Sequence, residues 1–195
     1  MKKKIFLIAT IVALFAIVTS GTFAYFTGEE TAHNIITSGG AGVGLLRKTE
    51  LPDGTLESAP ETDITGVMPG MVISKIISVE NQGDIDAWVR LRVESYITAK
   101  NGEKLPNYLD DGSPVMYYEI SSSWIEKDGY YYYDGLLKPG MTSDNFIEEV
   151  HFNMNMGNEY QECTAKLLIY TEALQAANNG TSALTASGWP TDNNN

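Results

Sequence analysis

Cysteine and histidine are almost absent from this chain, which carries one cysteine, Cys163, and two histidines, His33 and His151. A single thiol excludes an intramolecular disulfide framework, so a packed core must hold the fold together. Two isolated imidazoles do not make the clustered or helical His-Glu-x-x-His arrangement that brings zinc ligands together one helical turn apart. A Gly-x-Ser-x-Gly elbow is missing too, and the run Ser121-Ser122-Ser123 has no histidine near it in sequence. The adjacent acids Asp110 and Asp111, like Glu148 and Glu149, alternate faces on an extended chain, so neither pair forms a glycosidase site by itself. Asn81, Asp84 and Asp86 offer calcium-type oxygens, but three such residues in one turn read better as turn formers. No catalytic residue, metal ligand or cofactor is therefore assigned. Basic residues are scarce as well, 13 Lys and Arg against 25 Asp and Glu, for a net charge of −12. Such a surface repels phosphate backbones, and no nucleic-acid partner is expected.

Long apolar runs are missing everywhere except at the start. Lys2, Lys3 and Lys4 precede an uncharged stretch from Ile5 to Val18, the basic and apolar regions of a secretory signal peptide and too short for the ~20 residues of a spanning helix. Thr22 and Ala24, two apart, suit the small-residue pockets of a signal peptidase, so cleavage is expected after Ala24 or Tyr25, with Tyr25 or Phe26 as the new N-terminus. Loss of the three lysines takes the −12 of the whole chain to about −15. The alternative is an uncleaved anchor, since no charge appears before Glu29; the membrane is expected as a partner only through that uncleaved segment. The expected organisation is a signal peptide over 1–25, a β-sandwich over 26–177 and a polar, mobile tail over 178–195 in which Trp189 is the large anchor.

Period-2 patterning dominates the mature chain. In Ala87 to Thr98, the residues Ala87, Val89, Leu91, Val93 and Ile97 share one face, while Arg90, Arg92, Glu94 and Thr98 share the other. Met71 to Glu80 reads similarly, with Lys75 interrupting it as a bulge or an edge. Phe146, Val150, Phe152 and Met154 line one side of another strand, whose polar side carries a solvated His151. Cys163 to Thr171 supplies a further strand with a buried thiol, followed by a short helix from Leu174 to Ala177. Asp128-Gly129 predicts a two-residue hairpin turn that sets Lys127 opposite Tyr130, Ile125 opposite Tyr132 and Trp124 opposite Tyr133. Two of the four tyrosines are expected to pack inward and two to cover the outer face. Leu51 to Pro69 and Asn101 to Pro114 read as long connections, the first with a short hairpin at Asp53-Gly54.

The junction Gly21-Thr-Phe-Ala-Tyr-Phe-Thr resembles that of precursors cut by the SipW-type signal peptidase of Gram-positive bacteria. Further along stand Pro69-Gly-Met, Val79-Glu-Asn-Gln-Gly-Asp-Ile-Asp-Ala-Trp-Val-Arg90, Leu137-Lys-Pro-Gly-Met141 and Ala173-Leu-Gln-Ala176. Together these resemble the TasA and camelysin family of secreted biofilm-matrix and cell-surface proteins. The resemblance implies a jelly-roll-like antiparallel β-sandwich, exported with a SipW-type peptidase as processing partner, that self-associates into extracellular fibres by donating an N-terminal strand to the next subunit. Phe26 to Thr37 is the candidate donor strand, with Phe26, Ala32, Ile35 and Ile36 its apolar residues; Phe26, Ala32 and Ile36 share one face of an unbroken strand, ahead of the Gly39-Gly40 hinge. Its alternative role is an ordinary first strand of its own domain. The same family carries a metalloendopeptidase attribution through camelysin, for which this chain has no zinc motif. A third class is a monomeric adhesion module using the Tyr130 to Tyr133 face.

Overall fold

The computed structural model describes residues 36–38 and 42–190, all within a compact unit that spans His33–Asn195. The expected signal peptide, the junction residues Thr22, Ala24, Tyr25 and Phe26, the donor-strand residues Ala32 and Ile35, and the end of the tail lie outside the described residues.

Twelve strands and one short 3-10 turn, Asn158–Tyr160, make up the described chain. In chain order the strands are β1 (Ile36–Ser38), β2 (Val43–Glu50), β3 (Leu56–Ser58), β4 (Ile64–Thr65), β5 (Val72–Asn81) and β6 (Ala87–Thr98). There follow β7 (Lys104–Leu105), β8 (Met116–Tyr117), β9 (Trp124–Lys127), β10 (Tyr130–Tyr133), β11 (Ile147–Phe152) and β12 (Thr164–Gln175). One sheet runs β1-β12-β6-β10-β9, with β4 also on β12 and β7 also on β6; the other runs β3-β2-β5-β11-β8. Their inner faces share one apolar core, in which Val89, Leu91 and Ala165 of the first sheet pack with Ile77, Val79 and Phe152 of the second. This is an all-β, two-sheet structure in which every strand pairing but one is antiparallel among the described residues.

The alternation in Ala87 to Thr98 becomes β6 over those same residues, with Ala87, Val89, Leu91 and Ile97 fully buried because a period of two keeps them on one face. β6 is the spine of its sheet, paired with β12 along all twelve residues. The hairpin register also agrees, with Tyr130 opposite Lys127, Tyr132 opposite Ile125 and Tyr133 opposite Trp124. Asp128 and Gly129 both take positive φ, 53° and 79°, which the tight turn between right-twisted strands demands. Tyr131 and Tyr133 pack on the main core, while Tyr130 and Tyr132 turn to the outer face. Lys75 marks a bulge. Between the pairs Ile147–Ile77 and Glu149–Ser74, β5 advances three residues while β11 advances two, so the extra residue falls in β5 at Lys75–Ile76. Cys163 is fully buried, and burial raises its thiol pKa above the ordinary value, so it packs as a small apolar residue.

Several expectations fail. Leu174 to Ala177 is not a helix: β12 continues through Gln175, because Leu174 and Gln175 pair with Trp88 and Ala87 and tertiary pairing overrides local helix preference. Met154 leaves the apolar face of β11, which ends at Phe152, and is 77% exposed. Arg90, assigned to a solvated face, is 5% exposed. Glu172, Tyr130 and Tyr132 cover it together with Trp189 and Pro190 of the tail, which is folded against the sheet rather than mobile up to Pro190.

Candidate functional site

Several of the residues first considered for chemistry are engaged in local contacts. His151 stacks on Tyr117 at 5.2 Å and sits 3.3 Å from the Glu149 carboxylate, on a sheet face rather than in a ligand cluster. His33 lies outside the described residues. Ser123 Oγ donates to the Asp144 carboxylate at 2.7 Å. Asp111 accepts from the Ser113 amide at 2.9 Å and from its hydroxyl; the hydroxyl contact, then the amide, hold its carboxyl below the ordinary carboxylate range. The Asn81 amide is consumed: its Nδ2 donates to the carbonyls of Ile85 and Leu137, both at 2.8 Å, and its Oδ1 accepts from the Gly83 amide. Among the described residues no group of three or more His, Cys, Asp or Glu side chains is placed to hold a metal ion.

What stands out is an edge. One side of β12 is covered by β6 from Thr164 to Gln175. The other side meets β4 at Thr164 and Ala165, and β1 at Glu172, Ala173 and Leu174. The stretch between them, Lys166 to Thr171, has no strand beside it among the described residues. The β1–β12 pair is the parallel one, with Ile36 opposite Glu172, Thr37 opposite Ala173 and Ser38 opposite Leu174. Parallel pairing cannot be closed by a tight hairpin, so it brings in a strand from a distant part of a chain. At the junction between the open stretch and β1 stands Thr171, 2% exposed, whose Oγ1 has no hydrogen-bond partner among the described residues. Of the candidate donor residues, Ile36 alone falls on a described strand; its Cα partner is Glu172.

The outer face beside this edge is cross-linked. Glu94, opposite Leu168, accepts from Tyr96 OH, from the Arg92 guanidinium and, at 3.3 Å, from Tyr170 OH. The Tyr96 bond, more than the Arg92 charge, lowers the Glu94 carboxyl pKa. The Arg92 guanidinium stacks over Tyr170 at 4.2 Å. One register step toward β1, Arg90 and Glu172 form a buried ion pair of 2.6 Å, with Tyr130, Trp189 and Tyr132 rings 3.7, 4.7 and 5.9 Å from the guanidinium carbon. The chain after β12 folds back as a strap: Trp88 Nε1 donates to the Asn179 carbonyl at 2.7 Å, and Arg90 Nη2 donates to the Pro190 carbonyl at 2.6 Å. Sequence reading missed this cluster because Arg90 and Glu172 are 82 residues apart, and a charge in an alternating strand reads as solvated. Trp189 was the available signal, a large aromatic in an otherwise polar tail.

Among the described residues no helix is long and apolar enough to cross a membrane. Comparison of the chain with protein-family models, with curated proteins and with solved structures gave no match.

Proposed function

We propose that this protein is a secreted structural subunit of an extracellular or biofilm-matrix fibre, a jelly-roll-like member of the TasA and camelysin group assembled by N-terminal strand donation. The observation that supports the reading best is the three-residue parallel pairing of β1, at the end of the candidate donor segment, on an edge of β12 whose preceding six positions, Lys166 to Thr171, meet no strand among the described residues. An incoming strand from a neighbouring subunit that kept this register would run residues 30–35 along Lys166 to Thr171, with Glu30 opposite Lys166. Such a strand completes the sheet edge by backbone hydrogen bonds, the mode of β-strand addition.

The energetics permit exchange. A three-residue pairing contributes two or three backbone hydrogen bonds, at a net ~1 kcal/mol each. Ordering those residues costs ~1–2 kcal/mol apiece in backbone entropy, so the two nearly cancel. A longer strand along the open edge adds bonds to an interface already formed. Processing by a SipW-type peptidase would free the segment, and the tether to the signal peptide would delay assembly until export.

Deletion of Phe26 to Thr37 from the mature protein is the direct test. A folded, β-rich monomer by circular dichroism and size-exclusion chromatography, with no filaments in negative-stain images, is expected. Filaments built by the truncated protein would refute strand donation from this segment. A truncated protein that fails to fold would assign the segment to its own domain's core instead.

A further inference from the structure

A second feature adjoins the β4 end of the β12 edge, which it meets through the Lys166–Asp63 ion pair, and does not depend on the fibre reading. A cleft of about 300 Å³ opens between β2, β5 and the 59–65 connection, lined by Arg47, Lys48 and Lys75 with Asp63 as its one carboxylate. That is a local excess of cations in a chain with nearly two acids per base. The nearby acids are already matched: Arg47 Nη2 meets Glu61 at 3.1 Å, and Lys166 Nζ meets Asp63 at 3.4 Å. Lys75 is half-buried at the β5 bulge, and none of the ion pairs or side-chain hydrogen bonds among the described residues involves its ammonium. Burial, and then the neighbouring Arg47 charge, lower the Lys75 pKa against the smaller opposite pull of Glu61 and Asp63.

An inward-turned lysine often guards a sheet edge against pairing. β5 is not an edge: β2 and β11 flank it on either side, so that role has no use here. A half-buried ammonium that no carboxylate contacts directly, with Glu61 and Asp63 acting on it only from a distance, costs free energy that an anion seated against it would recover. An ammonium with no direct carboxylate contact, beside a guanidinium shared with Glu61, suits a single negative charge; a dianion would meet stronger repulsion from Glu61 and Asp63. We propose that this cleft binds a carboxylate-bearing ligand, its carboxylate seated between the Lys75 ammonium and the Arg47 guanidinium. An acidic side chain of a peptide and a uronic acid of a matrix saccharide share that chemistry.

The test titrates the isotopically labelled, processed protein separately with N-acetylglutamate amide, glucuronate and inorganic phosphate, following lysine and arginine side-chain signals by NMR. A saturable shift at Lys75 and Arg47 with at least one of the carboxylates is expected, together with a rise in the Lys75 pKa when it is bound. Which carboxylate binds identifies the peptide or the saccharide source. Lys75→Met should weaken that binding at least about tenfold, whereas Lys127→Met, on the remote hairpin, should bind as the wild type does. The wild-type titration decides the matter if Lys75→Met does not fold, and Arg47→Lys gives a second variant, expected to bind more weakly for want of the forked donor. No saturable shift up to about 50 mM of either carboxylate, well above a millimolar Kd, overturns the proposal. So does tighter binding of phosphate, or unchanged binding by a folded Lys75→Met.

Discussion

The first strand and the C-terminal strap come to rest on the same sheet and are held by different kinds of contact. β1 is placed by its register against Glu172, Ala173 and Leu174, a backbone pairing that any extended segment of suitable length can imitate. The strap is held by particular side chains: the Trp88 indole on the Asn179 carbonyl, the Arg90 guanidinium on the Pro190 carbonyl, and Trp189 packed edge-on against Tyr132 at 5.9 Å. It is also tied to itself, since Asn179 Oδ1 accepts from the Ser187 amide and Nδ2 donates to the Ser187 carbonyl. Backbone-held segments exchange between copies at little cost, whereas a segment keyed to a buried ion pair loses its partners when it leaves. Under the proposed strand donation, exchange belongs to the N-terminal side of this sheet and permanence to the C-terminal side.

The largest effect that would sharpen this contrast is Arg90→Ala. It strands Glu172, 6% exposed, without its cation, and removes the stacking centre for Tyr130 and Trp189. Breaking a buried pair in this way costs about 3–5 kcal/mol, which for a chain of this size lowers Tm by about 10 °C. Thermal unfolding of the mature protein checks it; a change under ~1 kcal/mol would mean the strap and its ion pair are not integral to the fold. Trp189→Ala should follow, at about 2 kcal/mol for a half-buried indole, with a shift in Trp88 emission as its cover loosens. Filaments should still form from the Trp189→Ala protein. Their loss would move the exchanging element from β1 to the strap.

What the sequence made legible separates along the same line. Elements set by local pattern were readable from the residues: the twelve-residue alternation of β6, the Asp128-Gly129 hairpin with its register, and the bulge at Lys75. A period of two or a turn requiring positive φ leaves its mark in neighbouring residues. The strap and the parallel β1 pairing are set by partners far away in the chain, and nothing near them announces it. Arg90 looked solvated because its counterion and aromatic lid come from three other segments. The polar tail looked mobile because its internal hydrogen bonds join the Asn179 and Thr185 side chains to its own backbone, a network that composition does not reveal. At the candidate edge, the apolar residues of the donor segment were readable, but the six positions of β12 that no described strand meets depend on where β4 stops, which is a tertiary fact.

A smaller effect concerns acid. The folded-state pKa of Glu94 lies below its ordinary 4.5, chiefly because Tyr96 OH donates to it. A depressed carboxylate stabilises the fold above the unfolded value, and that contribution disappears as pH falls through the lower folded value. Stability should therefore decline on the acid side of about pH 4.5, and Tyr96→Phe should flatten that decline while leaving the strap in place. Denaturant midpoints measured from about pH 3 to 6 would show it. An unchanged acid limb in Tyr96→Phe would mean that the tyrosine does not set this carboxyl.

The smallest effect on the isolated protein, Thr171→Val, bears most directly on which end exchanges. The Thr171 hydroxyl is buried on β12 where the open stretch gives way to β1, and it has no hydrogen-bond partner among the described residues. An unmet buried hydroxyl costs about 1–3 kcal/mol, and replacing it by a methyl of similar shape is neutral or favourable. The monomer of Thr171→Val should accordingly be as stable as the wild type or up to about 1 kcal/mol more so. A donated strand lying along Lys166 to Thr171 would bring backbone carbonyls beside that hydroxyl and supply the missing acceptor. In filaments the same substitution should then act the other way, lowering the denaturant concentration at which they come apart. Opposite signs in monomer and filament are what an edge completed by a neighbour requires. If the monomer instead loses more than ~1 kcal/mol, the hydroxyl is satisfied within its own chain, and the β12 edge is not waiting for a partner at that position.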